Sequence, residues 1–469
     1  MKRSIFIFFL LVLSSALSAR NVSGNVRCGK RGISGVVVTD GKNFAVTSAD
    51  GKYALEADEN AYFVYIVVPS GYNPPFGSGT PLFYKKFKEG KNIYDFKLKK
   101  SASRDSYTLL AFADSHIRTE RGLKRFRSEI VSDMDSLSKI YIAKGNTAIA
   151  GIALGDLAWD KLESLGKYKK AVSKLSYPCY PVIGNHDHDK AVSDDGLAAR
   201  QYRDKFGPTY YAFNLGHDYY VVLDDVLYHG DRKYDNLISG EQLEWLEGYL
   251  KYVPKGSHVI IAMHIPYLIK FKNLKVKGHE RLVGMLRDYK VNFMSGHTHV
   301  LGTYEAEPGI IEFNIAAACG AWWMGNYCVD GTPLGYKVFE SKRGEFSWYY
   351  KTAGRNGDFQ MELYDRGEVD DDREYVYAKV WGWDSEWKVE WYEDGKPMGN
   401  MEQCSEIDPH YAEAVEAAYA RIHKKVAEFR KLRESFFFFK AKPDVGTSRI
   451  EVVATDRFGR KYEGQIVLK

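Results

Sequence analysis

The chain has 469 residues, with a hydrophobic fraction of 45% and 66 basic against 61 acidic side chains, for a net charge of +5. That length suggests three domains and permits a sizeable core. So even a balance gives no charge argument for a nucleic-acid polymer, and none is expected as a partner.

Residues 1–19 read as a signal peptide. Lys2-Arg3 is the charged start, Ile5 to Leu13 the apolar centre, and Ala16 to Ala19 supplies small residues for cleavage. The apolar run is too short for an ordinary bilayer-spanning helix. No later segment resembles a transmembrane span, so the mature chain is expected to be exported, to the periplasm or beyond. Five Cys (Cys28, Cys179, Cys319, Cys328 and Cys404) suit that compartment without requiring disulfides. Cys319 and Cys328 are the closest pair and could bridge a loop; small buried apolar residues are the alternative reading.

Residues 20–100 read as a small all-β sandwich. Strand-like runs alternate with turns at Asp40-Gly41, Asp50-Gly51 and Pro69-Ser70-Gly71. Residues 101–106 form a linker. From 107 the pattern changes to short apolar runs separated by helical stretches such as Leu123–Ala143 and Asp160–Leu175. Such alternation implies crossover connections and a sheet buried on both faces. Phe206 to Phe213 and Tyr219 to Leu223 read as strands of a second sheet. The middle domain is placed at 107–335. Residues 336–469 read as a second all-β sandwich-like module with one helix. Asp408-Pro409 starts that helix, and Tyr411, Val415, Tyr419, Ile422, Val426 and Phe429 form its apolar stripe. The 34 Tyr and 9 Trp fit β-rich accessory domains.

Five apolar runs in the middle domain end in polar motifs. These are Asp114-Ser115-His116, Gly155-Asp156, Gly184-Asn185-His186-Asp187, Met263-His264 and Gly296-His297-Thr298-His299. Ligands of such sheets bind beyond the carboxyl ends of strands. A lone Asp-x-His or Gly-Asp is ordinarily a turn, and a lone His264 a satisfied core residue. Taken together, the motifs offer two Asp, one Asn and four His, with His186 left over. That is enough for two adjacent divalent cations sharing a carboxylate, chemistry suited to phosphate esters. Two cations about 3.5–4 Å apart can hold a hydroxide for in-line attack on phosphorus. His186 can then protonate the departing oxygen. Mixed Asp, Asn and His donors suit Mn, Fe or Zn rather than Ca. A rival reading of His186-Asp187-His188-Asp189 as a metallo-β-lactamase-like motif lacks its final His, since Lys190 stands there.

In these motifs the chain resembles the calcineurin-like metallophosphoesterases, whose pattern is D-x-H, G-D, G-N-H-D/E, H, G-H-x-H. The resemblance implies an α/β fold, a four-layer αββα sandwich, flanked here by two all-β sandwich domains. The N-terminal module resembles carboxypeptidase-regulatory or transthyretin-like modules of exported bacterial enzymes. The resemblance further implies that Asp114, His116 and His299 bind one metal, Asn185, His264 and His297 the other, and Asp156 both. It makes His186 the general acid and Asp187 its orienting partner. Trp322 and Trp323, after the last motif, are candidates for a substrate wall, with packing between domains as the alternative. The expected activity is hydrolysis of a phosphate mono- or diester of a small molecule or glycan. Alternatives are a nucleotidase or nucleotide phosphodiesterase, and a non-catalytic carbohydrate-binding protein on the same fold.

Overall fold

A computed structural model describes residues 20–469 except 78, 146–147, 370–372, 422–424 and 426–432. The expected signal peptide, and Ile422, Val426 and Phe429 of the helical stripe, lie outside the described residues. Among the described residues no helix is long and apolar enough to cross a membrane.

Two facing sheets build the centre. The first has five strands in the order Cys179–Val182, Ala148–Leu154, Ser106–Phe112, Gly335–Lys342 and Glu345–Thr352. Its first three run parallel, with Leu110 opposite Gly151, and the last two form an antiparallel hairpin, with Leu110 opposite Val338. The second has six strands in the order Tyr211–Leu215, Asp218–Val222, His258–Ala262, Lys290–Ser295, Ile310–Asn314 and Gly302–Glu307. The strand period of two decides which residue faces which layer. Leu109, Ala111, Ile152 and Leu154 join the core between the sheets. Leu110, Phe112, Ile149 and Ala153 face outward onto the helices Glu120–Arg125, Ser132–Lys144 and Ser164–Val172. Helices Gly240–Leu250 and His279–Leu286 bury Trp245, Leu246, Tyr249, Leu282 and Leu286 in the inter-sheet core's continuation. This is a four-layer αββα sandwich.

Several boundaries differ from the sequence reading. The catalytic sheet does not end at 335, because the hairpin 335–352 completes it beside the 106–112 strand. Val338 and Phe339 are wholly buried there, so the hairpin shields an otherwise open edge of the parallel strands. The helical stretch before the second motif is interrupted by a π-helical segment, Phe126–Val131, whose Phe126, Ile130 and Val131 are buried. Phe206 ends a helix, Arg200–Phe206, rather than starting a strand. Cys319 and Cys328, the pair that could have bridged a loop, are both free thiols, as are Cys28 and Cys179.

The flanking modules share in the same packing. In the N-terminal part, Ser23, Val26 and their neighbours lie in a five-stranded sheet, and Val38 and Tyr65 in a four-stranded one. Val68 accepts a hydrogen bond from the Asn214 amide at 2.9 Å, extending the second central sheet. The C-terminal part has two four-stranded sheets. Helix Pro409–Ala420 is capped by Asp408, which accepts from the Tyr411 amide. Its Tyr411, Val415 and Tyr419 pack with Ala321 and Val329 of the central domain.

One buried ion pair fastens this module down. Lys379 Nζ lies 2.7 Å from Asp408 Oδ2 and donates to the Asp330 carbonyl at 2.7 Å. Asp330 in turn accepts from the Leu301 amide, two residues beyond His299. Removing one partner of such a pair leaves an uncompensated buried charge, a loss of about 3–5 kcal/mol. Lys379→Met should therefore lower unfolding stability by that order in chemical denaturation. A loss below ~1 kcal/mol would show that the pair does not hold the module.

Candidate metal centre

The five motif strands all end on one side of the two sheets, so their following residues converge. The loops after 106–112 and 148–154 run side by side. Asp114 N donates to the Gly155 carbonyl at 3.1 Å, and His116 N to the Asp156 carbonyl at 2.9 Å. The close approach explains two glycines. A side chain at Gly155, where φ is +84°, would stand 2.3 Å from His264 Nδ1, and one at Gly296 would stand 2.7 Å from Asp114 Oδ2. Five of the seven expected ligands take left-handed backbone themselves: Asp114, His116, Asp156, His297 and His299 have φ between 43° and 66°. Non-glycine residues rarely adopt that conformation, and it concentrates at functional sites.

All seven expected ligands are brought together. His116 Nε2 and His299 Nε2 are 2.9 Å apart, and each lies 3.6–3.7 Å from Asp114 Oδ1. His264 Nε2 lies 3.0 Å from Asn185 Oδ1 and 3.2 Å from His297 Nδ1. Asp156 Oδ2 faces both groups, 3.6 Å from His116 Nε2 and 3.3 Å from His264 Nε2. Backbone carbonyls orient two of the rings. His264 Nδ1 donates to the Leu154 carbonyl at 2.8 Å and His299 Nδ1 to that of Gly320 at 3.4 Å. With Nδ1 so engaged, Nε2 is the atom that each ring turns toward the cluster.

The donor set fits divalent cations. Asp114 Oδ1 is buried, accepts no hydrogen bond and faces two imidazole nitrogens. A buried carboxylate oxygen in that position is costly unless a cation or proton lies against it. Burial, reinforced by the charge of Asp156, pushes the Asp114 carboxyl up to about 8. Burial also drives His116 and His297 well below the usual imidazole range and His299 down to about 3, so these rings are neutral donors. For His264 burial is outweighed by Asp156 and Asp114, which carry it up to about 10. Burial would raise Asp156, but the rings of His264 and His186 outweigh it and hold the carboxylate well below its ordinary range.

Two expectations about the surrounding residues are corrected. Asp187 does not orient His186. It is fully buried and accepts from the amides of Leu157, Ala158 and Gly184 at 2.8–3.1 Å, pinning two motif loops together. The partner of His186 is Asp160, whose Oδ1 lies 2.7 Å from His186 Nδ1. Asp160 Oδ2 also meets Arg232 at 2.7 Å. Trp323 is not a substrate wall: its indole N–H donates to the Ser115 carbonyl at 3.0 Å and its ring is buried against Phe126. Trp322, half-buried, stacks on His299 with centroids 4.2 Å apart. Trp159, absent from the sequence reading, lies 5.8 Å from His116 and 6.4 Å from Trp322. Arg118 sits over it at 5.2 Å. The rival β-lactamase-like motif is excluded by His188, which bonds the Gly184 carbonyl at 3.0 Å and stacks on Tyr228, away from the cluster.

Sequence reasoning also missed Asp225 and Glu312. Asp225 accepts from the amides of His264 and Ile265, and Glu312 from those of Tyr267 and Leu268. Neither stands in a motif; an acidic residue inside an otherwise apolar strand pattern, as at Glu312, was the available signal.

Comparison with known proteins gives a consistent family. A model of the calcineurin-like phosphoesterase domain matches residues 107–301, a model of the N-terminal part of calcineurin-like phosphoesterases matches 20–101, and one of the C-terminal part matches 312–462. No curated protein sequence matches. Similar solved structures include a dimetal phosphatase from Danio rerio (15% identity, 52% of this chain and 98% of that one, TM-score 0.34). PhoD is also similar (10% identity, 78% and 84%, TM-score 0.39), as is a 5'-nucleotidase from Candida albicans (14% identity, 54% and 52%, TM-score 0.34). Fold and site define a metal-dependent phosphoester hydrolase. The chain belongs to the calcineurin-like phosphoesterase family, with that family's N- and C-terminal parts on either side of the catalytic domain.

The Asp160 contact has a measurable consequence. Burial lowers the His186 imidazole, but Asp156 and Asp160 outweigh it and raise the ring above its usual value. A raised value means that the ring keeps its proton to higher pH. Asp160→Asn removes one stabilising charge, so His186 should lose its proton at lower pH, seen as a downward shift in its NMR titration. An unmoved titration would show that Asp160 only packs against the ring.

Proposed function

We propose that this hydrolase is exported and binds two divalent cations, drawn from Mn, Fe and Zn, to cleave a phosphate ester of a ring-bearing small molecule or glycan. The observation that carries the two-cation reading is the position of Asp156 Oδ2 between the His116 and His264 rings. In this reading Asp114, His116 and His299 hold one cation, Asn185, His264 and His297 the other, and Asp156 touches both. When bound, such a pair polarises the phosphate oxygens and makes a water acidic enough to attack phosphorus. Export is supported by the charged and apolar start of the chain.

The chain's own residues supply the rest. Asp160 accepts the Nδ1 proton of His186, which directs Nε2 and its proton to the departing oxygen. The His186 ring stands 5.2 Å from that of His116, at the edge of the cluster. Asn185 carries no charge, so the second cation depends on Asp156 for its negative partner. Behind the site, the buried Trp323 indole donates to the Ser115 carbonyl of the 114–116 loop.

Asp156→Ala tests the reading. Two cations would face each other without their shared carboxylate, and the set Asn185, His264 and His297 should empty first. Elemental analysis should give one metal per chain or fewer, with turnover near background. A variant with two metals and near-normal turnover would be incompatible with the assignment.

A nucleotide is the second reading of the substrate, favoured by the aromatic mouth. Trp159 and Trp322 are inclined at 39°, and Arg118 places positive charge above them. Stacking on such a face contributes about 1–3 kcal/mol per ring. Trp322→Ala should therefore raise KM for a nucleoside phosphate by about 5- to 150-fold, and far less for a small alkyl phosphate. Equal effects on both would mean that the ring only supports His299.

A further inference from the structure

Beside the cluster lies one nucleophilic group that the chemistry above does not use, the thiol of Cys319. Beyond strand Ile310–Asn314, Ala317 pairs in parallel with Ala113. The amides of Ala318 and Cys319 donate to the carbonyls of Ala113 and Asp114 at 2.8 and 3.3 Å. Alanines at 316–318 and 321 let this segment lie against the Asp114 loop. Cys319 is thereby fully buried, and its Sγ and one ring nitrogen each of His116 and His299 lie within 4.8 Å of one another. It donates to the Gly320 carbonyl at 3.5 Å, a weak hydrogen bond of a thiol.

A second observation points to a cation at the same place. Asp114 Oδ1, wholly buried, is aimed at those two imidazoles and accepts no hydrogen bond. Two imidazoles, with a carboxylate oxygen facing both and a thiol within reach of both, form the donor set of a borderline metal.

We infer that Cys319 is a further ligand, as thiolate, of the cation held by Asp114, His116 and His299. The inference rests on the two-cation reading. On binding, the S–H bond breaks, a sulfur–metal bond forms and the proton leaves to solvent, since a cation deprotonates a coordinating thiol outright. No oxidant or reductant takes part. The consequence is that the two sites are chemically unequal. The first, with sulfur, selects zinc, cobalt or ferrous iron; the second, with Asn185, His264, His297 and Asp156, has only nitrogen and oxygen donors.

Cobalt(II) titrated into the full-length chain tests this. A thiolate ligand should give a near-ultraviolet sulfur-to-cobalt charge-transfer band alongside the visible bands of bound cobalt. The charge-transfer band should disappear in Cys319→Ser and persist in Cys328→Ser. Loss of an outer partner already costs about 10- to 100-fold in metal affinity, so Cys319→Ser should weaken zinc at one site by at least that factor. Wild-type protein that binds two cobalt ions without the charge-transfer band overturns the thiolate and leaves the two-cation reading standing. Protein that binds no cobalt overturns both. The wild-type spectrum decides even if the serine variant fails to fold.

Discussion

The carboxylate of Asp156 is the group around which the rest of this structure is organised. It is 1% exposed, and an ion so buried loses several kcal/mol of hydration. Its compensation is local. Oδ1 accepts from the His186 amide at 2.9 Å, while Oδ2 faces His116 and His264. The geometry needs left-handed backbone at Asp156 and at four of its companions, each costing about 1–2 kcal/mol for a residue with a side chain. Such strain persists only where surrounding structure over-determines it. Parallel strands packed on both faces supply that constraint.

Further buried carboxylates hold the loops that carry the site. Asp187 ties the second motif loop to the third through three amides. Asp225 holds the loop of His264, and Glu312 the segment that follows it. Asp114 Oδ2 receives the His297 amide, and Asp330 receives that of Leu301. Each replaces a ladder hydrogen bond that a loop residue has lost on leaving its sheet. Asp114 and Asp156 turn one oxygen to the cluster and the other to a backbone amide. Asp187, although it too sits in a family motif, uses both oxygens on amides.

The flanking modules are built into this scaffold. The hairpin 335–352 closes the first sheet before the chain enters the C-terminal part. Lys379 and Asp408 then reach back through Asp330 to the loop of His299. Trp323 works in the same direction: Arg125 donates to the carbonyls of Trp323 and Gly325, so a helix outside the first sheet steadies the loop that presents Trp322. The two adjacent tryptophans part company because one ring turns to His299 and the other to Phe126.

The motif residues alone singled out seven side chains that the fold brings together, and the end of the sheets where they meet. Apolar runs ending in Gly and polar residues leave little choice but buried strands with ligands at their carboxyl ends, and the fold class follows from the alternation with helices. What only the tertiary structure decided are contacts between segments distant in sequence. Asp160 meets His186 across 26 residues, Asp225 meets His264 across 39, and Cys319 reaches the Asp114 loop from across the sheet. No periodicity encodes such pairings, because they depend on which loops the sheet order sets side by side. The hairpin 335–352 was misplaced for the same reason: its alternation reads as β in any setting, and only pairing with the 106–112 strand assigns it to the catalytic sheet. Trp322 and Trp323 were indistinguishable as residues, since left-handed backbone at both, with φ of 52° and 64°, sends their rings to different neighbours.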